Sequence, residues 1–395
     1  MSDLHRSAMH ARIAKLPRIP PAHAPPPAGP TDEDGDEEAE EEADSLGALP
    51  SSMGPPPSRA RARPRRTPNP AFSPISASTY FADAVQVAVP ASHLDMRVYY
   101  TPPRVPADDD STGSVMVCHH GAGFSALSFA CLAKEVGRAT AGECGVLALD
   151  ARRHAGKTMP TDGSSDEDLS LDVLVADLTN LLKAVFPDPA AAPTFLLVGH
   201  SMGGAVVVRA CPRLLEAKYR VLGVAVLDVV EGTAIEALPH MPMILSSRPN
   251  GFDSVEEAIE WHITANQIRN PTSARISVPS LIVPAPSDPN SLRSHPFTWR
   301  TPLGTTGPYW EGWFRGLSSA FLTARAARLL VLAGTDRLDK ELMIGQMQGK
   351  FQMVVVPGTG HMLHEDDPVK LAEVLTEFWR RHERVVVGVK KVGEL

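Results

Sequence analysis

The chain has 395 residues, 43% hydrophobic and 21% charged, with a formal net charge of -8 and a sequence pI near 6.0. That length allows one large domain or two ordinary ones, and the apolar share is enough for a sizeable core. The acidic balance argues against a nucleic-acid binder, which is normally basic over its folded part. No run of about 18 uncharged apolar residues occurs, so no membrane span is expected.

The opening stretch, "MSDLHRSAMHARIAKLPRIPP", lacks the apolar h-region of a secretory leader, and its early prolines do not suit the amphipathic helix of a transit peptide. Residues 1–74 hold 15 of the 37 prolines, the acidic run "DEDGDEEAEEEAD" and the basic run "RARARPRR". Such a segment cannot bury enough apolar surface to offset its ordering entropy, so it is expected to be a disordered tail. The basic run reads either as a nuclear localisation patch or as a solvated counterweight to the acidic block. Cys118, Cys131, Cys144 and Cys211 stand at irregular spacing in apolar surroundings and read as reduced thiols. The protein is therefore expected in the cytoplasm, the nucleus or both.

From about Pro74 short β-rich runs alternate with longer helical patterns. Candidate strands are "LDMRVYY", "SVMVCHH", "GVLALD", "TFLLVG", "VLGVAVLD", "LLVLAG" and "FQMVVV". Several are continuously apolar, as strands covered on both faces require. Helical patterns fall on "SALSFACLAKEVGRAT", "LSLDVLVADLTNLLKAVF", "GGAVVVRACPRLLEA" and "DPVKLAEVLTEFWRRH". In the last, Asp367 before Pro368 reads as an N-cap followed by a first-turn proline. The alternation predicts an α/β fold with a mostly parallel central sheet and helices on both faces, spanning residues 75–386. Residues 387–395 are expected to form a C-terminal tail. Chemistry in such sheets sits at the carboxyl ends of the strands.

Within this pattern "FLLVGHSMGGAVVV" is a strand, a turn and a helix start. The turn is a G-x-S-x-G nucleophile elbow, a sharp bend that lifts the Ser201 hydroxyl above the sheet and leaves room only for small residues two positions either side. The helix N-terminus favours developing negative charge, and the Met202 N–H is aimed where an oxyanion would form. A hydroxyl needs a base. Chain order in this fold is serine, acid, histidine, which places the base in "VPGTGHMLHEDDP" after the last strand. His361 is favoured there over His364. The H-x-x-H-E spacing matches neither common zinc pattern, so no metal is expected. Asp228, ending "GVAVLD", and Asp336, in "VLAGTDRLDK", are both candidates for the acid, and spacing does not choose between them. Asp150 reads as a loop brace. In "CHHGAGFSALSFA" the Ala122 N–H is the candidate second oxyanion donor, with His119 and His120 bracing the loop.

The segment 239–327, which the core fold does not need, carries four of the five tryptophans: Trp261, Trp299, Trp310 and Trp313. An insertion here is expected to be a lid over the nucleophile, its aromatics serving either lid packing or a partner surface.

Taken together, "HHGAGFSALSFA", "LLVGHSMGGA", "LDVVEGTAIEAL", "AIEWHITANQIRNPTSARISVP", "YWEGWFRGLSSAFL", "AGTDRLDKELMIGQMQGKFQM" and "GHMLHEDDP" resemble the protein phosphatase methylesterase family over about residues 72–385. That family removes the methyl ester from the C-terminal leucine of the type 2A protein phosphatase catalytic subunit. The resemblance implies Ser201 as nucleophile, Asp228 rather than Asp336 as acid, and His361 as base. It also implies the phosphatase as partner, with no cofactor, no nucleic acid and no membrane. The chain departs from animal members at Ala122 and Phe124, where they have Gly and His. A small-molecule carboxylesterase or lipase would share the triad, and a non-catalytic phosphatase-binding module would share the scaffold.

Overall fold

A computed structural model of the chain describes residues 67–105, 112–163, 165–286, 295–334 and 338–386. The acidic and basic runs, residues 387–395, and Asp336 lie outside the described residues.

The strands in chain order are β1 (Asp83–Val89), β2 (Leu94–Thr101), β3 (Ser114–His119), β4 (Cys144–Leu149), β5 (Met159–Pro160), β6 (Thr194–His200) and β7 (Val221–Leu227), then β8 (Ile282–Pro284), β9 (Phe297–Trp299), β10 (Ala327–Leu332) and β11 (Gln352–Val355). The main sheet runs β1-β2-β4-β3-β6-β7-β10-β11, with the short β5 paired to β2. From β4 to β11 every pairing is parallel, while β1 with β2 and β2 with β4 are antiparallel. β3 and β4 are buried along their whole length and β6 all but its first residue, which is why these strands read as unbroken apolar runs. β1 escapes that pattern. It is mostly exposed, and its strand form comes from pairing along its full length with β2.

Alternate residues of the central strands feed two apolar layers. Val117, Leu197 and Val224 face a layer filled by Leu174, Leu178, Val206 and Leu214 from α2 (Leu171–Val185) and α3 (Met202–Glu216). Met116, Leu196, Val198 and Ala225 face the opposite layer, filled from α1 (Ala130–Ala139) and the C-terminal helix by Leu132, Val136, Leu375, Phe378 and Trp379. The three-layer architecture follows from this period of two.

Between β7 and β10 lie α4 (Glu231–Ala237), α5 (Met241–Ser246), α6 (Val255–Thr264), α7 (Pro271–Ser277), α8 (Trp310–Phe314), α9 (Leu317–Thr323) and the hairpin of β8 with β9. Part of this insertion has its own small core, built on Phe252, Ile259, Ile268, Ala274 and Val278. Trp261 and Trp299 set their rings against Phe252, and the Arg248 guanidinium lies 3.6 Å over the Trp299 ring. The Trp313 indole is buried and donates to the Leu169 carbonyl at 2.7 Å, and the half-buried Trp310 donates to Thr306 Oγ1 at 2.8 Å. These aromatics are therefore used in packing. Ahead of β1, the Ile75 N–H donates to the Arg275 carbonyl at 2.9 Å and Arg275 Nε to the Ser73 carbonyl at 2.6 Å, which stitches that stretch to α7. The chain closes with α10 (Lys340–Met347), α11 (Leu363–Asp366) and α12 (Pro368–Val386).

Phe378 is 1% exposed and spans the contact between α12 and the sheet. Phe378→Ala should cost about 3–5 kcal/mol through lost transfer energy and a cavity, read as a lower urea midpoint with an unchanged denaturant slope.

Candidate active site

Ser201 sits between the last residue of β6 and the first of α3 with φ 51° and ψ -118°, a strained conformation for a side chain with a Cβ. It is held there from both sides: its N–H donates to the Leu227 carbonyl at 3.0 Å, and its carbonyl accepts from Gly204 N–H at 2.9 Å. A Cβ on Gly199 would fall onto the Gly203 carbonyl oxygen, and one on Gly203 onto the His119 carbonyl oxygen. Backbone meets backbone at both points, so no neighbour could move aside, and the steric demand expected from the sequence is met. Met202 opens α3, so its N–H is one of the four without an intrahelical acceptor.

The early loop lies against this elbow. A methyl placed on Gly121 would come 3.2 Å from Ser201 Cβ and 2.7 Å from His200 Nδ1. Ala122 follows, half-buried. His120 Nε2 accepts the Ala151 N–H at 3.0 Å, which leaves Nδ1 to donate to the Gly121 carbonyl at 2.8 Å. His119 Nδ1 contacts the His120 carbonyl at 2.9 Å. Burial lowers both imidazoles, His119 to about 4 and His120 well below its ordinary value, so both are neutral loop braces. Asp150 also braces: its Oδ1 accepts the Ala126 N–H at 2.8 Å, and burial raises its pKa to about 7.

Asp228 follows β7 with φ 51°. Its N–H donates to the Val331 carbonyl at 2.8 Å and its Oδ1 accepts the Ala333 N–H at 2.8 Å, so the end of β10 fixes it. Oδ2 meets His361 Nδ1 at 2.8 Å. The acid side chain is 9% exposed and the imidazole 55%. His200 Nε2–H donates to the His361 carbonyl at 2.8 Å, and the two rings lie 4.6 Å apart. The residue preceding Ser201 thus also holds the backbone of His361. Position alone in the elbow could have pointed to His200, but nothing in the sequence indicates its partner. Glu231, in the "DVVEG" stretch, was likewise not singled out by sequence: its two oxygens accept the N–H groups of Gly316 and Ser318, tying the acid's segment to the start of α9.

His364 is elsewhere. It is fully buried, stacked on Phe129 at 4.6 Å, and burial lowers its pKa to about 3. Sealed from solvent and with its basicity lowered, it is poorly placed to take a proton from a substrate.

The strand order, the elbow, and an acid–imidazole pair at the carboxyl ends of parallel strands define an α/β hydrolase. Residues 116–374 match the model of the alpha/beta hydrolase family. The chain superposes on the crystal structure of E-2-(acetamidomethylene)succinate hydrolase with a TM-score of 0.57 at 18% identity, covering 75% of this chain and 99% of that one, a likeness of fold. Over its full length the chain is 46% identical to protein phosphatase methylesterase 1 of Cryptococcus neoformans var. neoformans, covering 96% of that protein. It is 41% identical to the Aspergillus oryzae protein of the same name, covering 93% of it. The chain belongs to the protein phosphatase methylesterase family of α/β hydrolases, and it is a hydrolytic enzyme.

His361→Ala should lower kcat on an aryl ester by roughly 10⁴-fold or more, while His364→Phe, which keeps the ring stack, should stay within about threefold of wild type. His364→Phe also tests burial. The native state holds His364 unprotonated down to about pH 3, but the unfolded chain protonates it below about pH 6.5. Acidification from pH 6.5 therefore costs the wild type stability that the variant keeps. Urea titrations should show the variant gaining about 1.4 kcal/mol per pH unit relative to wild type between pH 6 and 4.

Proposed function

We propose that the chain is a serine carboxylesterase that removes the methyl ester from the C-terminal leucine of the type 2A protein phosphatase catalytic subunit. The observation that carries it is the 2.8 Å pairing of His361 Nδ1 with Asp228 Oδ2 beside the strained Ser201 elbow. With its Nδ1 proton donated to the carboxylate, His361 keeps Nε2 as a lone-pair acceptor, the tautomer a general base requires. The substrate class draws support from the name shared by relatives aligned over the whole chain.

In this mechanism His361 Nε2 takes the Ser201 proton as Oγ attacks the ester carbonyl. The N–H groups of Met202 and Ala122 donate to the developing oxyanion, each worth about 3 kcal/mol. Collapse of the tetrahedral intermediate expels methoxide, which His361 protonates to methanol, leaving the leucyl carboxyl as an ester of Ser201. Water then enters, His361 takes its proton, and a second tetrahedral intermediate breaks to free the carboxylate and Ser201. Asp228 stabilises the imidazolium in each step. Because methanol is so small, recognition has to act on the acyl side, through the peptide tail and the phosphatase surface.

Methylated phosphatase incubated with wild type should lose its methyl group, and with Ser201→Ala should keep it, as followed by mass spectrometry of the C-terminal peptide. Equal loss in both would overturn the nucleophile. Asp228→Asn should lower kcat by about 10⁴-fold through the wrong imidazole tautomer. Fast turnover of an aryl ester with the methylated phosphatase left untouched would instead favour a small-molecule esterase.

A further inference from the structure

His361 follows the turn 356–360, which leaves β11 once the Val356 N–H has donated to the Leu332 carbonyl of β10 at 2.8 Å. Thr359 Oγ1 closes the turn locally on the Val356 carbonyl at 2.8 Å. Beyond the His200 bond to the His361 carbonyl, further support comes from one buried carboxylate. Asp366, at the end of α11, accepts the Gly360 N–H on Oδ2 at 2.7 Å and the Arg269 N–H on Oδ1 at 2.7 Å. The Arg269 guanidinium reaches back across the turn, with Nη1 donating to the Gly358 carbonyl and Nε 3.9 Å from Asp366 Oδ2. Arg269 stands between α6 and α7, inside the insertion.

Asp366 is 2% exposed on its side chain. Burial raises its pKa, and the negative charge of Asp228 pushes in the same direction, while the two N–H groups and the guanidinium oppose them. Placing a carboxylate there is costly unless its hydrogen bonds compensate. The groups that compensate are those of the residue just before the base and of the insertion. A neutral side chain would fill the same space more cheaply but could not grip both N–H groups.

Given the serine-esterase reading above, we infer that Asp366 and Arg269 are positioning residues for His361, clamping the base-bearing turn to the insertion so that the imidazole is held between Asp228 and Ser201. The insertion is then part of the frame of the catalytic group and not only a cover for it. Misplacement of a reacting group by about 1 Å can cost roughly 100-fold in rate, so the clamp should be read in kcat.

The test uses the full chain and p-nitrophenyl acetate, so that no phosphatase contact enters the result. Asp366→Ala should lower kcat about 100-fold with KM within about twofold. Asp366→Asn keeps one acceptor oxygen and should fall between Ala and wild type. Arg269→Ala removes only the guanidinium, since its backbone N–H survives, and should lower kcat about tenfold. Because the Arg269 side chain is 44% exposed, this variant should fold even if Asp366→Ala does not. Unchanged kcat in both Arg269→Ala and Asp366→Asn, or changes confined to KM, would overturn the clamp. Ser201→Ala separates the two levels. If it is inactive while the clamp variants are fully active, only the positioning role fails. If it remains active, the esterase reading fails with it.

Discussion

The 2.8 Å contact between Asp228 and His361 joins residues 133 apart in the chain, and most of the local architecture is arranged around making it. The acid cannot move to meet the base. Its backbone is bonded to β10 through Val331, and its second oxygen is committed to the Ala333 N–H. Its left-handed φ of 51° turns the chain out of β7 at that point. Adjustment therefore falls on the base, whose carbonyl is taken by His200 and whose preceding turn is held by Asp366 and Arg269. A rigid acid and a tethered base fix the imidazole tautomer without help from the substrate.

A second constraint is steric. The Ser201 turn works only because α3 starts so close to β6 and to the early loop that Gly199 and Gly203 admit no side chain. The same closeness brings the His119–Gly121 stretch against Ser201 and the start of α3. The histidines of that segment carry no proton for the chemistry. They use their ring nitrogens to hold carbonyls and amides of the loop in place.

These constraints explain which parts were legible in the sequence. Gly199 and Gly203 print a steric demand directly in residue type, so the elbow could be read. The runs beginning at Ser114 and Thr194 print two-sided burial, so the central strands could be read, whereas β1 owes its form to its partner. The choice between Asp228 and Asp336 could not be made from spacing, because each comes shortly after a strand-like apolar run in the sequence. What marks Asp228 is an interlocked set of bonds to β10 and to a turn far downstream. The run "HEDDP" shows the limit most clearly. Glu365 is fully buried and accepts from Ser277 Oγ, Asp366 grips the base's turn, and Asp367 caps α12 through the Lys370 N–H at 2.9 Å. Three neighbouring acids have three unrelated tasks, and only packing tells them apart.

The contrast among the histidines carries the physical logic furthest. The His200 ring lies 4.6 Å from that of His361 and 4.5 Å from that of His364, tilted against both, yet of the three only His361 has an exposed side chain. Burial withdraws water from His200 and His364, and their charged forms lose the solvation that would make protonation possible near neutral pH. His361 keeps more than half of its side chain exposed while its Nδ1 edge is paired with a nearly buried carboxylate. Exposure on one edge leaves the ring open to solvent. Pairing on the other supplies the stabilisation that bulk solvent alone would not. The tilted, neutral His200 ring gives His361 an uncharged neighbour, where a second imidazolium would have disfavoured a positive charge on His361.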